Sequence, residues 1–126
     1  MTKPNSMISI LLADDEAAIR SALALVLEQK MSLQSLSEAA NVDELLFRVQ
    51  ADCPTLVLLD WELPGLMAAG GVAALRRLQP GLKVAVLSTR PEARQEALDA
   101  EAEAFISKTD PPEKMLQAVK ALVNQQ

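Results

Sequence analysis

Asp14, Asp15, Asp60, Ser88 and Lys108 are the side chains of this sequence that could do chemistry together. Each closes or follows a short apolar run: "ISILLADD", "TLVLLD", "KVAVLST" and "AFISK". Three carboxylates brought to one place repel one another, so the arrangement is costly unless a cation or a shared proton compensates. An all-oxygen cluster suits magnesium, which keeps several waters and binds through one or two carboxylates plus phosphate oxygens. A lysine beside it balances a phosphoryl group as a point charge, and a hydroxyl hydrogen-bonds another of its oxygens. A carboxylate can itself be the nucleophile, forming an aspartyl phosphate. Phosphoryl transfer then needs mostly positioning and neutralisation of charge.

Composition removes other chemistries. The chain has 126 residues and no histidine, which rules out a His-based triad and a His-containing zinc site. One cysteine, Cys53, excludes an internal disulfide and, with no evident cleavable signal, points to a reducing cytoplasm. Cys53 is expected to act as a small packing residue. The net charge of -5 and the lack of a basic stripe argue against direct nucleic-acid contact. No apolar run approaches the roughly 20 residues of a membrane span.

The elements that must position these side chains alternate. "ISILLADD" reads as a strand buried on both faces and ending at a site. "EAAIRSALALVLEQK" puts Ile19, Ala22, Leu23, Val26 and Leu27 at helical spacing. "SLQSLSEA" is a weaker strand. "NVDELLFRVQAD" is a helix entered through an Asn41 and Glu44 capping box, with Leu45, Leu46 and Val49 as its inner stripe. "TLVLLD" is the clearest strand, and "GVAALRRLQPG" a helix closed by Pro80 and Gly81, its Arg76 and Arg77 on the solvated face. "KVAVLST" is another strand, followed by a helix over "PEARQEALDA" opened by Pro91. "AFIS" runs into Lys108. The last helix is expected to take Asp110 as its cap, Pro111 at its first position and Glu113 capping back.

Five apolar strands separated by helices imply one α/β domain over residues 1–126, a parallel sheet covered on both faces and linked by right-handed crossovers. Ligands of such sheets sit beyond the carboxyl ends of the strands, where all five polar residues fall.

At this point the residues carry a family likeness. "LLADDE", "LVLLDWELPG", "VLST" and "FISK" occur in the order and spacing of the receiver domain of bacterial two-component response regulators, which the chain resembles over nearly its whole length. The resemblance implies a doubly wound, flavodoxin-like (βα)5 fold of strand order 2-1-3-4-5, for which the chemotaxis receiver is a standard example. It implies a phosphorylation-dependent switch rather than a turnover enzyme, with a sensor histidine kinase or phosphotransfer protein as donor and Asp60 as phosphoacceptor. Asp15 then resembles the direct Mg2+ ligand, with Asp14 acting through a bound water and the backbone carbonyl of Glu62 completing the protein's share. Ser88 matches the switch hydroxyl, with Thr89 as a neighbouring competitor, Lys108 the phosphate-binding lysine and Phe105 the switch aromatic. The ending "SKTDPPEKMLQAVKAL" is similar to receivers joined to a LuxR-type helix-turn-helix domain, so the expected output is an effector domain or target protein, with a homodimer forming on phosphorylation.

The chain departs from the family pattern in three places. Thr109 stands where a proline commonly follows the lysine, Glu101 where a glycine commonly precedes strand five, and "PGLMAAGG" is a longer loop than usual. Two alternatives therefore accompany the main reading: a pseudo-receiver that binds partners without phosphorylation, and an aspartate-nucleophile phosphatase. The second would place an aspartate two residues after the nucleophile, where this chain has Glu62. Flavin binding follows only from fold analogy, and one tryptophan with no tyrosine provides poorly for it. Trp61 is expected at the pocket rim, partly exposed.

Overall fold

The computed structural model describes residues 7–123 and forms one five-stranded sheet in the order β2-β1-β3-β4-β5. The strands are β1 Ser9–Ala13, β2 Ser35–Ala39, β3 Leu56–Asp60, β4 Lys83–Ser88 and β5 Ala104–Ser107. Every neighbouring pair is parallel, with Ile10 beside Leu56, Asp60 beside Leu87 and Ser88 beside Ser107. The helices are α1 Ala17–Lys30, α2 Val42–Asp52, α3 Gly71–Leu78, α4 Ala93–Asp99 and α5 Pro112–Val123. This is the fold expected from the sequence.

Strand alternation divides the core in two. Leu11, Val57, Leu59, Val84 and Val86 face one way and pack with Leu45 and Val49 of α2, Leu75 of α3 and Ala97 of α4. Ile10, Leu12, Leu56, Leu58, Ala85 and Leu87 face the other way onto Leu27 of α1 and Met115, Val119 and Leu122 of α5. Both faces of the central strands are covered, which is why those strands read as unbroken apolar runs. Each fully buried Leu or Val adds about 1.5–3 kcal/mol relative to exposure. Edge strand β2, with only Ala39 buried, is the one whose sequence signal was weak.

The Asn41 half of the box forms as expected, its side chain accepting the Glu44 N–H at 2.9 Å, but Glu44 reaches one residue past the cap, to the Ala40 N–H at 2.7 Å. Helix α5 starts one residue later than expected. Asp110 is drawn into the turn after Lys108, donating its N–H to Ser107 O, and the Pro111 carbonyl takes the first helical bond from Lys114. Thr109 is held in the same turn by the Ser107 hydroxyl, and there is no cis peptide bond among the described residues. Cys53 is exposed instead of packed, because it closes α2 in the left-handed region at φ 47.

Glu101 also lies in the left-handed region, at φ 63. It closes α4: its N–H bonds to Leu98 O while the Ala102 N–H bonds to Ala97 O. That crossed pair is the Schellman arrangement, whose left-handed position usually falls to glycine. Arg76 stabilises this turn and is not a solvated side chain. Its guanidinium donates to Glu101 O at 2.7 Å and pairs with the Glu103 carboxylate, tying α3 to the start of β5. The loop after Asp60 is anchored by the buried side chains of Leu63 and Leu66. It enters α3 through Gly70 at φ 108, where an added Cβ would meet the Ala74 methyl at 3.0 Å.

Candidate functional site

The parallel register brings the polar ends of four strands to one edge. The Asp14 N–H bonds to Ala39 O, the Trp61 N–H to Leu87 O and the Lys108 N–H to Ser88 O, so each loop departs from a strand still locked to its neighbour. Asp14, Asp15 and Asp60 converge there, each offering a carboxylate oxygen within 4.8 Å of the others. Asp14 and Asp60 are both 2 % exposed, and Asp15 is exposed. Lys108 spans the pair, with Nζ 2.7 Å from Asp14 Oδ2 and 3.2 Å from Asp60 Oδ1. The Asp60 Oδ1 also accepts the Glu62 N–H at 3.0 Å, and Asp14 Oδ1 accepts the Glu16 N–H at 2.9 Å.

The charges do not balance. Three carboxylates face one ammonium, leaving two negative charges in a largely buried pocket. Burial pushes the Asp60 carboxyl above its ordinary range and Asp14 adds to the rise, while the Glu62 N–H and Lys108 pull the other way and do not cancel it. Burial alone would lower Lys108, but its pairing with Asp14 and Asp60 outweighs this and holds the ammonium above its usual value. An excess of two negative charges on closely spaced hard oxygen donors fits a divalent oxygen-seeking cation, and Mg2+ suits the small number of carboxylates.

Ser88 is buried and Thr89 exposed, which favours Ser88 as the hydroxyl of the site. Its Oγ donates to Glu62 Oε1 at 2.9 Å and accepts the Arg90 N–H at 3.0 Å. Arg90 in turn donates Nε to Glu62 Oε2 at 3.0 Å and Nη2 to Glu96 Oε1 at 2.9 Å, and it reaches Glu92. These partners hold the guanidinium above its usual value, while Arg90 and then Trp61 lower the Glu96 carboxyl.

Trp61 corrects the sequence reading. It is 8 % exposed, packed in the core beside Leu63 and Val72, and its Nε1–H donates to Glu96 Oε1 at 2.8 Å. An indole that buries its body and keeps one polar partner is the usual solution for tryptophan. Phe105 is partly buried against the same cluster, with the Arg94 guanidinium 4.7 Å from its ring centroid. Arg90 and Glu96 were not singled out in the sequence, and Glu62 was named only for its backbone carbonyl and for standing where a phosphatase has an aspartate. The charged types in "STRPEARQE" were the only signal, and such runs are ordinarily solvated faces.

Comparison with known proteins bears on the family and the fold. Residues 10–120 match the model of the response regulator receiver domain family. The chain is 36% identical over 116 residues to the transcriptional activator protein ExaE of Pseudomonas putida, covering 90% of this chain and 54% of that protein. It is 32% identical over 118 residues to the phosphate regulon transcriptional regulatory protein PhoB of Escherichia coli K12, covering 90% and 51%. It therefore spans about half the length of these relatives. A CheY-like receiver from Methanospirillum hungatei superposes with a TM-score of 0.82 at 26% identity, over 94% of this chain and 95% of that one. The signal receiver domain of the putative regulator NarL of Mycobacterium tuberculosis shares the fold, with a TM-score of 0.84 at 24% identity over 98% and 100%. The chain belongs to the response regulator receiver domain family.

Proposed function

We propose that this receiver accepts a phosphoryl group on Asp60, with Mg2+ held by Asp15 directly, by Asp14 through water, by Asp60 and by the backbone carbonyl of Glu62. The observation that carries the reading is a buried Asp60 held against Lys108, in a pocket with two negative charges in excess. Asp60 Oδ1 is engaged by the Glu62 N–H and Lys108, which leaves Oδ2 to attack. The new Oδ2–P bond forms as the bond from phosphorus to the donor's leaving atom breaks, and the donor leaves with that electron pair. Bound Mg2+ supplies neutralisation of phosphoryl-oxygen charge. Lys108 offsets a further negative charge, and in this reading Ser88, at the end of β4, hydrogen-bonds a phosphoryl oxygen.

The donor in this reading is a sensor histidine kinase or a phosphotransfer protein. The output is an effector region such as the DNA-binding part of a transcriptional regulator, consistent with relatives about twice this length that are named as transcriptional activators and regulators. The likeness of the ending "SKTDPPEKMLQAVKAL" to receivers joined to LuxR-type helix-turn-helix domains is what supports a helix-turn-helix effector in this reading. Phe105 and the surface of α4, β5 and α5 transmit the change, by partner release or by homodimer formation. The domain consumes its donor stoichiometrically and catalyses only its own phosphorylation and hydrolysis. Among the described residues no helix is long and apolar enough to cross a membrane.

The test is intact mass after incubation with Mg2+ and acetyl phosphate, beside an Asp60→Asn control. The expected outcome is one Mg2+-dependent phosphoryl adduct, absent from the control. An unmodified wild-type chain, or an adduct retained in Asp60→Asn, overturns the assignment.

A further inference from the structure

We infer that the Glu62 carboxylate is a latch: it holds the only proton of the Ser88 hydroxyl away from Asp60, and an Arg90 bridge to Glu96 on α4 keeps it in place. The inference rests on the proposed role of Asp60 as phosphoacceptor.

A serine hydroxyl has one proton to donate. Here Ser88 gives it to Glu62 Oε1 at 2.9 Å, while the Arg90 N–H fills a lone pair of the same oxygen. The oxygens of a phosphoryl group on Asp60 are acceptors and need that same proton. Ser88 cannot serve Glu62 and the phosphoryl group together, so the observed bond and the phosphorylated arrangement exclude one another.

The latch is braced. Arg90 Nε holds the other Glu62 oxygen at 3.0 Å, and its Nη2 holds Glu96 Oε1 at 2.9 Å. The same Glu96 oxygen receives the indole N–H of Trp61, the residue between Asp60 and Glu62. The chain of contacts thus closes a ring from Trp61 through Glu62, Arg90 and Glu96 back to Trp61. Opening that ring at Arg90 frees the Glu62 carboxylate to give up the Ser88 proton. Ion pairs at the surface are individually weak, which suits a device that must open.

A population held in the latched state lowers the competent fraction and slows phosphorylation in proportion. Glu62→Ala and Arg90→Ala are both surface substitutions, the side chains being 42% and 39% exposed. Each is expected to raise the rate of adduct formation from acetyl phosphate with Mg2+ by about three- to tenfold, and the double variant by less than the product of the two. Arg90→Ala is the decisive arm. If Glu62 acted only as a negative charge repelling the donor, removing its cationic partner would slow the reaction.

A faster adduct in both variants supports the latch. Unchanged rates in both, or a slower Arg90→Ala, overturn it while leaving Asp60 as acceptor. No adduct in any protein, wild type included, overturns the acceptor assignment and the latch with it.

Discussion

Strand β3 contains two regions with opposite energetics. From Leu56 to Leu59 every side chain is fully buried in an apolar layer and adds to stability. One residue later Asp60 is buried almost as deeply, yet its carboxylate meets another carboxylate and is pushed toward protonation. The backbone and register are continuous across the boundary. The difference teaches that the strand body fixes position while its tip gives up stability to make a site that a cation and a phosphoryl group can complete.

Removing packing from the body has the largest expected effect. Leu58→Ala should lower unfolding stability by about 2–5 kcal/mol in urea, with no special dependence on Mg2+ or pH. A smaller loss would mean that the body is less tightly packed than the tip. At the tip the sign reverses: Asp60→Asn, which leaves Lys108 paired with Asp14, should stabilise the metal-free protein at neutral pH while abolishing phosphorylation. The sign follows from linkage. The folded-state pKa is raised by burial, so Asp60 opposes folding above that value, where it must ionise in the pocket. That penalty shrinks as pH falls from the raised value toward the ordinary carboxyl value and is gone only below the ordinary one. The gain from Asn should therefore shrink as urea midpoints are measured at progressively more acid pH, and a gain independent of pH would break the comparison.

The smallest effect separates functional cost from incidental cost. Glu101 carries its strain at the other end of the sheet, before β5 begins. Glu101→Gly should raise stability by about 0.5–1 kcal/mol, since Arg76 bonds the backbone carbonyl, which glycine keeps. Adduct formation should not change. An altered phosphorylation rate would show that this turn, too, belongs to the switching apparatus.

The fold was legible because both faces of β1, β3 and β4 are buried, which writes itself as short apolar runs ending in polar residues. The convergence of Asp14, Asp15, Asp60 and Lys108 was legible for the same reason, since a parallel sheet puts all its carboxyl ends at one edge. Arg90 was not, because its partners at positions 62 and 96 come together only after β3, β4 and α4 are assembled. Trp61 was misjudged from its neighbour: a strand tip at a pocket suggests a rim, and nothing local announces that Glu96 will meet the indole N–H. Arg76 looked like any charged helix residue until the turn at Glu101 offered it a carbonyl. The start of α5 moved because Asp110 is as good a turn residue as it is a cap.

The strand order has a consequence for how the chain reaches its native state. The first three strands already lie side by side as β2-β1-β3, and they carry all three acids of the pocket. The compensating Lys108 follows β5, the last strand and the far edge of the sheet. An assembly halted after β3 would gather three like charges with no ammonium among them, and so would be penalised at the very place where its strands meet. Completion of the fifth strand brings the one ammonium that offsets part of that repulsion. The acidic tip thereby disfavours half-built forms and helps make folding of this domain a single cooperative event.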